Sequence, residues 1–200
     1  MIAARLFGSP TSPFVRKVRV LLLEAGLSEK VCFERIDPRD TTTELRARNP
    51  LGKVPTFLCE EGSLFDSGVI CEWICDRNIE AGHLLPAGRR WRILTTQALA
   101  DGLLDAGLLV RQEELREPSA RSDTWIAEQT DRMRAAIASL DKDVAWRDSD
   151  IDLGQIAVAC ALGWMNFRLP RIDWETAYPQ LAEWFNSIAS RPSLVATRPG

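Results

Sequence analysis

Histidine and tyrosine are scarce in this 200-residue chain, which has one of each, His83 and Tyr178. A serine or cysteine nucleophile normally needs a histidine base, so any such mechanism would depend on His83 alone, in a connector rich in Gly and Leu. The composition therefore argues against nucleophilic hydrolases of the Ser–His type. Because Tyr178 lies far along the chain, no phenol stands near the N-terminus.

Cysteine occurs as an odd set without a CxxC pair: Cys32, Cys59, Cys71, Cys75 and Cys160. This pattern argues against a disulfide framework and against a zinc site, and it is typical of a reducing cytoplasm. Cys71 and Cys75 are four residues apart in an apolar helical context. We predict that they are small buried side chains and not a redox pair.

A complete calcium loop is also lacking. Asp148, Asp150 and Asp152 alternate as in such a loop, but Leu153 stands where the sixth position requires glycine. The glutamate required at the twelfth position is missing as well. We therefore expect no metal site in this chain.

Long apolar runs and an excess of positive charge are both absent. The longest apolar run, residues 156–165, is shorter than the roughly 18 to 20 residues that a membrane span needs. Arg5 interrupts the apolar N-terminus, which has no signal-peptide core. The 25 basic and 28 acidic side chains give a net charge of −3, which attracts neither nucleic acid nor anionic lipid. We expect a soluble cytoplasmic protein without nucleic-acid or membrane partners.

What is present is the composition of a globular protein, with 46% apolar and 26% charged residues. Before about residue 80, short apolar runs predict strands at residues 2–7, 31–36, 54–59 and 63–65, and helical spacing predicts helices at 14–25, 42–48 and 67–78. A βαβ crossover makes its strands parallel, and the later hairpin adds an antiparallel pair. Residues 1–80 are therefore predicted to form an α/β domain with a four-stranded mixed sheet in a thioredoxin-like arrangement.

After a linker at residues 81–88, only helical periodicity remains. It predicts helices at residues 89–117, 124–145, 152–168 and 179–190, which form an all-α helical-bundle domain at residues 89–200. Asp152 and Gln155 have the spacing of a capping box at the start of the third of these helices. Small residues such as Gly154 and Gly163 suit a slim central helix, so we expect this helix to be buried.

Three motifs, in this order, resemble those of the glutathione transferase superfamily: residues 9–18 (SPTSPFVRKV), 49–57 (NPLGKVPTF) and 64–70 (LFDSGVI). The resemblance covers essentially the whole chain, and the later segments are similar to the bacterial branch. It implies a homodimer that uses glutathione as co-substrate. Because the first motif contains neither tyrosine nor cysteine, the resemblance is to Ser/Thr-type members, which are omega-like or theta-like.

The hydroxyl loop, residues 9–13, leads from the first strand into the first helix. There, free backbone N–H groups and the helix dipole favour a negative sulfur, and the hydroxyl groups of Ser9, Thr11 and Ser12 can donate to it. Alternatively, the loop is only a helix N-cap and turn. The resemblance ranks Ser12 first, because it stands at the cysteine position of the Cys-Pro-Phe motif of omega-like relatives.

The other two motifs imply the rest of a glutathione site. By resemblance, Val54-Pro55 is a cis peptide, Val54 pairs with the cysteinyl backbone of glutathione, and Lys53 meets the glycyl carboxylate. Asp66 and Ser67 open the third helix, where a hydroxyl and a backbone N–H can hold the γ-glutamyl carboxylate and an acid can take the ammonium. Asp66 departs from the glutamate usual in the family, which shortens the arm but keeps the charge.

An electrophile pocket is expected between the two domains. Its candidate residues are Phe7, Leu103, Gly107, Trp164 and Arg168. The favoured function is conjugation of the glutathione thiolate to small apolar electrophiles. Two alternatives remain open: glutathione-dependent thiol-disulfide exchange or peroxide reduction, and a non-catalytic module that binds a ligand or a protein partner.

Overall fold

The N-terminal half contains four strands in a computed structural model that describes residues 4–37, 39, 44–147 and 150–199. They are β1 (Ala4–Gly8), β2 (Val31–Arg35), β3 (Thr56–Cys59) and β4 (Gly62–Phe65). The sheet has the order β2-β1-β3-β4, in which β1 is parallel to β2 and β3 is antiparallel to both β1 and β4. The predicted four-stranded mixed sheet is confirmed.

Three helices accompany this sheet: α1 (Pro13–Glu24), α2 (Leu45–Arg48) and α3 (Ser67–Arg77). The buried side chains of Leu6 in β1 and Phe57 in β3 share one apolar core with α1 and α3. The chain turns after α1 at Gly26, whose φ of 66° suits glycine. The first strand and the second helix were predicted to begin at Ile2 and Thr42, which lie outside the described residues.

The C-terminal half contains six helices among the residues that the structure describes. They are α4 (Arg90–Glu114), α5 (Asp123–Lys142), α6 (Leu153–Arg168), α7 (Trp174–Ala177), α8 (Pro179–Ile188) and α9 (Pro192–Ala196). No described residue after Phe65 belongs to a strand, which confirms the all-α prediction. The helices α7 and α9 were not predicted, because four and five residues are too few to establish a helical period.

Helix α5 ends earlier than its periodicity predicts. Asp143 leaves the helical conformation with a ψ of 97°, and its side chain accepts a hydrogen bond from the N–H of Ala145 at 3.1 Å. The next residues, Val144–Trp146, form a single 3₁₀ turn. Local capping by an aspartate therefore overrides an apolar pattern that continues beyond it.

The helical stretch Gly82–Glu114, which contains α4, is long and apolar enough to cross a membrane by length and composition alone. In this fold α4 packs against both α5 and α6, and its residues Leu103, Leu104 and Val110 are buried in an apolar cluster shared with those helices. It is thus a core helix of the C-terminal domain.

Helix α6 is the central helix, and every residue from Leu153 to Leu162 is buried, as predicted. At its start the Asp152 carboxylate accepts from the Gln155 N–H at 3.0 Å, which is the expected N-cap. The Gln155 Nε2 donates a hydrogen bond to the Trp146 carbonyl oxygen at 3.2 Å. A β-carbon at Gly154 would lie 3.1 Å from the Ile93 carbonyl of α4, so glycine lets α4 and α6 approach closely.

The two domains are joined through packed helices as well as through the linker. Helix α1 packs against α6 and α9. The fully buried Lys17 of α1 binds Asp101 of α4, with Nζ 2.7 and 2.6 Å from the two carboxylate oxygens. At the end of α1, Glu24 accepts from Arg191 at 2.7 Å. These contacts fix the relative position of the domains, and the cavity described next lies between them.

Candidate functional site

A cavity of about 700 Å³ lies between the two domains. Four segments line it: the hydroxyl loop and the first turn of α1, residues 52–54, the second half of α4, and the end of α6. The first motif and part of the second therefore border the same space as the helical domain, as expected for a site built from both domains.

Ser9, Thr11 and Ser12 of the hydroxyl loop all line the cavity. The hydroxyl oxygens of Ser9 and Thr11 are hydrogen-bonded to each other at 3.2 Å. Ser12 Oγ accepts from the Val15 N–H at 3.3 Å and so caps α1. A hydroxyl carries one donor and two acceptor positions, and this cap uses only an acceptor. Ser12 can therefore cap the helix and still donate its proton into the cavity.

The second motif presents Lys53 and Val54 to the cavity. The Val54-Pro55 peptide is cis, which confirms that prediction. The buried Asn49 holds the loop: its Nδ2 donates to the Lys53 carbonyl at 3.0 Å and its Oδ1 accepts from the Leu51 N–H at 3.0 Å. The role of Asn49 was not predicted, although an asparagine before proline in a turn is a recognisable signal for such bonds.

The third motif lies beside the cavity without lining it. Ser67 is buried at the start of α3, and the Asp66 carboxylate accepts from the Gly68 N–H at 2.8 Å. Asp66 has a φ of 71°, a strained value for a residue other than glycine, and such strain is found most often at functional sites. Burial raises the pKa of Asp105, which lines the cavity, and the nearby Asp66 charge adds to that rise.

An acidic cluster of Asp66, Asp101 and Asp105 lies beside the start of α3. Of these three residues, Asp105 lines the cavity. Burial raises the pKa of Asp101, Lys17 opposes that rise, and the charges of Asp66 and Asp105 add to it. Burial likewise raises the pKa of Asp105, with Lys53 opposing. Two lysines oppose three carboxylates here, Lys17 at Asp101 and Lys53 at Asp105, so the cluster keeps a net negative charge that favours a cationic group.

The helical domain forms its part of the cavity wall with α4 and α6. Of the predicted pocket residues, Trp164 and Arg168 line the cavity. The other three predicted pocket residues do not line it: Leu103 and Gly107 of α4 and Phe7 of β1 are all buried. A β-carbon at Gly107 would lie 2.8 Å from the Trp164 ring. Gly107 therefore leaves the space that lets the Trp164 ring reach the cavity.

None of the α4 residues that line the cavity was predicted from the sequence. The unpredicted lining residues on this helix are Asp105, Leu108, Leu109, Arg111 and Gln112. Four of them are spaced i, i+3, i+4 and i+7, which places them on one helix face. That spacing is visible in the sequence, but the choice of this face over the others depends on how α4 is rotated against α5 and α6.

The cysteines lie away from the cavity lining within the described part of the chain. Cys71, Cys75 and Cys160 are buried, as predicted for the first two. Burial raises the pKa of Cys75 to about 12 and of Cys160 to about 11, and it raises the pKa of Cys71 even further. These three thiols remain protonated and unreactive at neutral pH.

Metal ligands are not grouped in the described residues, where no three His, Cys, Asp or Glu side chains are placed to hold an ion. The aspartate alternation considered as an incomplete calcium loop begins at Asp148, outside the described residues.

Comparisons with known proteins agree with this two-domain arrangement. Residues 6–81 match the family model for the glutathione S-transferase N-terminal domain, and residues 123–187 match the one for the glutathione S-transferase C-terminal domain. The chain is 36% identical to YibF, an uncharacterized GST-like protein of Escherichia coli strain K12, over 98% of each protein.

Solved structures are similar over the same length. A glutathione transferase family member from Pseudomonas fluorescens Pf-5 with bound glutathione is 41% identical, with a TM-score of 0.92 over 98% of this chain and 99% of that one. A second structure from that organism, with bound S-(propanoic acid)-glutathione, is 40% identical, with a TM-score of 0.89 over 98% of this chain and 100% of the other.

Proposed function

The chain belongs to the glutathione S-transferase family, and from that premise we propose that it binds glutathione between its domains and transfers the glutathione sulfur to a small electrophile. The proposal rests on the cavity of about 700 Å³ that the hydroxyl loop, Val54, α4 and α6 border together. Glutathione bound to a relative of 41% identity supports it.

Glutathione has an ammonium and a carboxylate at its γ-glutamyl end, a thiol in the middle and a glycyl carboxylate. In this proposal the ammonium faces the acidic cluster, and the γ-glutamyl carboxylate meets Ser67 at the start of α3. Lys53, at the cavity wall, meets the glycyl carboxylate. Each charged group of the peptide then has a partner, and the thiol lies beside the hydroxyl loop.

Ser12 is the proposed activator of the thiol. A free thiol has a pKa of about 8.5, so lowering it by two units takes about 2.7 kcal/mol. A hydrogen bond to a charged group contributes about 1.5 to 3 kcal/mol, and a helix N-terminus contributes about 0.3 to 1 kcal/mol. One donated hydroxyl at the start of α1 is therefore enough, with Thr11 and Ser9 as the next candidates.

The transfer step needs only the glutathione thiol and the electrophile. The thiol proton passes to water, and a sulfur electron pair then forms a bond to the electrophilic carbon. For a displacement, the leaving group departs with the electron pair of its broken bond. The protein contributes by holding the two reactants together and by stabilising the thiolate.

Disulfide exchange through a protein thiol is less well supported. No cysteine lines the cavity within the described residues, and Cys71, Cys75 and Cys160 are buried with raised pKa values. A serine stands where such enzymes of this family have their cysteine. Conjugation needs no protein thiol, so it agrees better with these residues.

Calorimetric titration with glutathione tests the binding step. We expect binding by the parent protein and about tenfold weaker binding by Ser67→Ala, since a hydrogen bond to a carboxylate is lost. The matched control is Ser187→Ala in α8, whose hydroxyl donates to the Trp184 carbonyl, and it should bind like the parent. Absence of binding at millimolar glutathione would show that the proposal is wrong.

Loss of free thiol in the presence of an activated aryl halide tests the transfer step. We expect it to be faster with the protein than without it. Binding of glutathione with no increase in this rate would favour the non-catalytic module instead.

A further inference from the structure

Two arginines lie close together on the part of the cavity wall formed by the ends of α4 and α6. Arg111 lies in the last turn of α4, Arg168 ends α6, and both line the cavity. They are close enough that the charge of Arg111 adds to burial in lowering the pKa of Arg168. We refer to Arg111 and Arg168 as the arginine pair.

The arginine pair has no carboxylate partner among the described residues. The neighbouring acids are already engaged, since Glu113 accepts from Arg116 at 3.0 Å and Glu114 is paired with Arg171. Asp105, the acidic residue of the cavity wall, lies at the other end, where it interacts with Lys53 and Asp66. The helix C-termini favour a cation at these positions but provide no anionic group inside the cavity.

Apolar side chains precede each arginine by one helical turn. Trp164 comes four residues before Arg168 on α6, and Leu108 comes three residues before Arg111 on α4, and all four line the cavity. A turn of helix rises about 5.4 Å. A ligand on this wall therefore meets an apolar surface first and two guanidinium groups about one turn further along.

We propose that the electrophile carries a carboxylate on a short apolar arm and that the arginine pair binds this carboxylate. Guanidinium groups bind planar oxyanions through paired N–H donors. The inference rests on the proposed function and refines the expectation of purely apolar electrophiles. The carboxylate stays intact through the reaction, so the product is a glutathione conjugate with an acid on its sulfur substituent.

Non-reactive product analogues provide the test. S-(2-carboxyethyl)glutathione and S-(2-carbamoylethyl)glutathione have the same shape and differ in the charge of the terminal group. In calorimetric titrations at low salt we expect the acid to bind the parent protein at least about tenfold more tightly than the amide, as one charge-assisted hydrogen bond implies. Added salt should reduce this ratio.

Arg111→Gln and Arg168→Gln should each bring the acid-to-amide ratio close to one without changing the affinity for glutathione itself. The matched control, Arg134→Gln on the exposed face of α5, should keep the parent ratio.

Equal affinity of the parent for acid and amide, with glutathione still bound, would overturn this inference and leave the proposed function intact. Weaker binding of glutathione itself in both arginine variants would also overturn it, because the pair would then hold the glycyl carboxylate. If the parent binds none of the three peptides, the proposed function fails and the inference fails with it. The parent ratio decides the question even if a variant does not fold.

Discussion

At the scale of single residues, Ser12 combines a structural and a proposed chemical role. Its oxygen accepts from the Val15 N–H and caps α1, while its proton is available to a thiolate in the cavity. The hydroxyl groups of Ser9 and Thr11 are hydrogen-bonded to each other. One of their two hydroxyl protons is therefore already donated within the loop. This difference favours Ser12 on structural grounds that are independent of the resemblance.

Ser12→Ala should raise the pKa of the bound glutathione thiol by about one to two units, because a donor worth about 1.5 to 3 kcal/mol is lost and one unit corresponds to 1.36 kcal/mol. Ultraviolet absorbance of the thiolate against pH measures this. The substitution also removes a helix cap, which costs about 1 kcal/mol of stability, so the titration and not the stability is the readout.

Thr11→Ala and Ser9→Ala are the controls for Ser12→Ala. Identical thiol titrations in the parent and in all three variants would mean that backbone N–H groups and the helix dipole alone stabilise the sulfur, contrary to our assignment.

At the scale of elements, helix caps stabilise the helices that carry the site residues. Asp152 is buried at the start of α6 and caps it through the Gln155 N–H, while Arg89 approaches its carboxylate at 3.6 Å. Since α6 runs from this cap to Trp164 and Arg168 at the cavity, the cap stabilises the helix that carries both lining residues.

Asp152→Ala should lower the free energy of unfolding by about 1 to 2 kcal/mol, because the cap of a buried helix is lost. Asp152→Asn keeps a side-chain acceptor and should retain most of the stability. Urea denaturation measures both. Asp173→Ala, which removes the exposed cap of the short helix α7, is the control and should have a smaller effect. Equal midpoints for all four proteins would contradict this role.

At the scale of the whole molecule, Glu24 links the end of α1 to the C-terminal segment through Arg191 and Ser193. The hydrogen bond from Arg191 lowers the pKa of Glu24 against the opposing effect of burial, and Ser193 adds to the lowering. A lowered pKa means that the link stabilises the fold at pH values above the ordinary glutamate range and is lost as the pH falls through the folded-state value.

Glu24→Gln should therefore cost about 1.5 to 3 kcal/mol of stability near neutral pH, since a charge-assisted network is lost. The difference from the parent should persist down to about pH 5 and shrink below about pH 4. Urea denaturation across this pH range measures it. Glu128→Gln, on an exposed part of α5, should show no such dependence. A difference that grows on acidification would contradict the assigned sign.

The family resemblance implies a homodimer, and we propose that Val69 and Trp91, large apolar residues with exposed fractions of 51% and 78%, belong to its interface. Arg90, next to Trp91, pairs with Glu72 of α3, and Glu72 follows Val69 on the same helix face. The two apolar side chains therefore belong to adjoining surfaces, as an interface between two copies requires.

Sedimentation at micromolar concentration should give about twice the chain mass of 22.4 kDa. Val69→Glu should shift the protein towards the single-chain mass, since a charge would be buried in the interface. Ile79→Glu, at a residue that is 93% exposed outside α3, is the control and should leave the mass unchanged. A single-chain mass for the parent protein would contradict the dimer.

Sequence patterns between neighbouring residues predicted much of the fold of this protein, without information on tertiary contacts. Alternating short elements predicted the mixed sheet, helical periodicity predicted the four long helices of the second half, and the apolar, small-residue run of α6 predicted its burial. These properties depend on residues close in sequence, and so a linear pattern carries them. The first two motifs likewise named the hydroxyl loop and the segment at Lys53 and Val54, which both line the cavity.

Only the tertiary structure decided which residues of the helical domain face the cavity. Leu103 and Gly107 are as suitable by type as Leu108 and Arg111, yet the rotation of α4 buries the first two and brings the last two to the cavity wall. The meeting of Arg111 with Arg168 depends on residues 57 positions apart. The reason is physical: the rotation of a helix is set by side chains packed from other helices, so its functional face is a property of the assembled core.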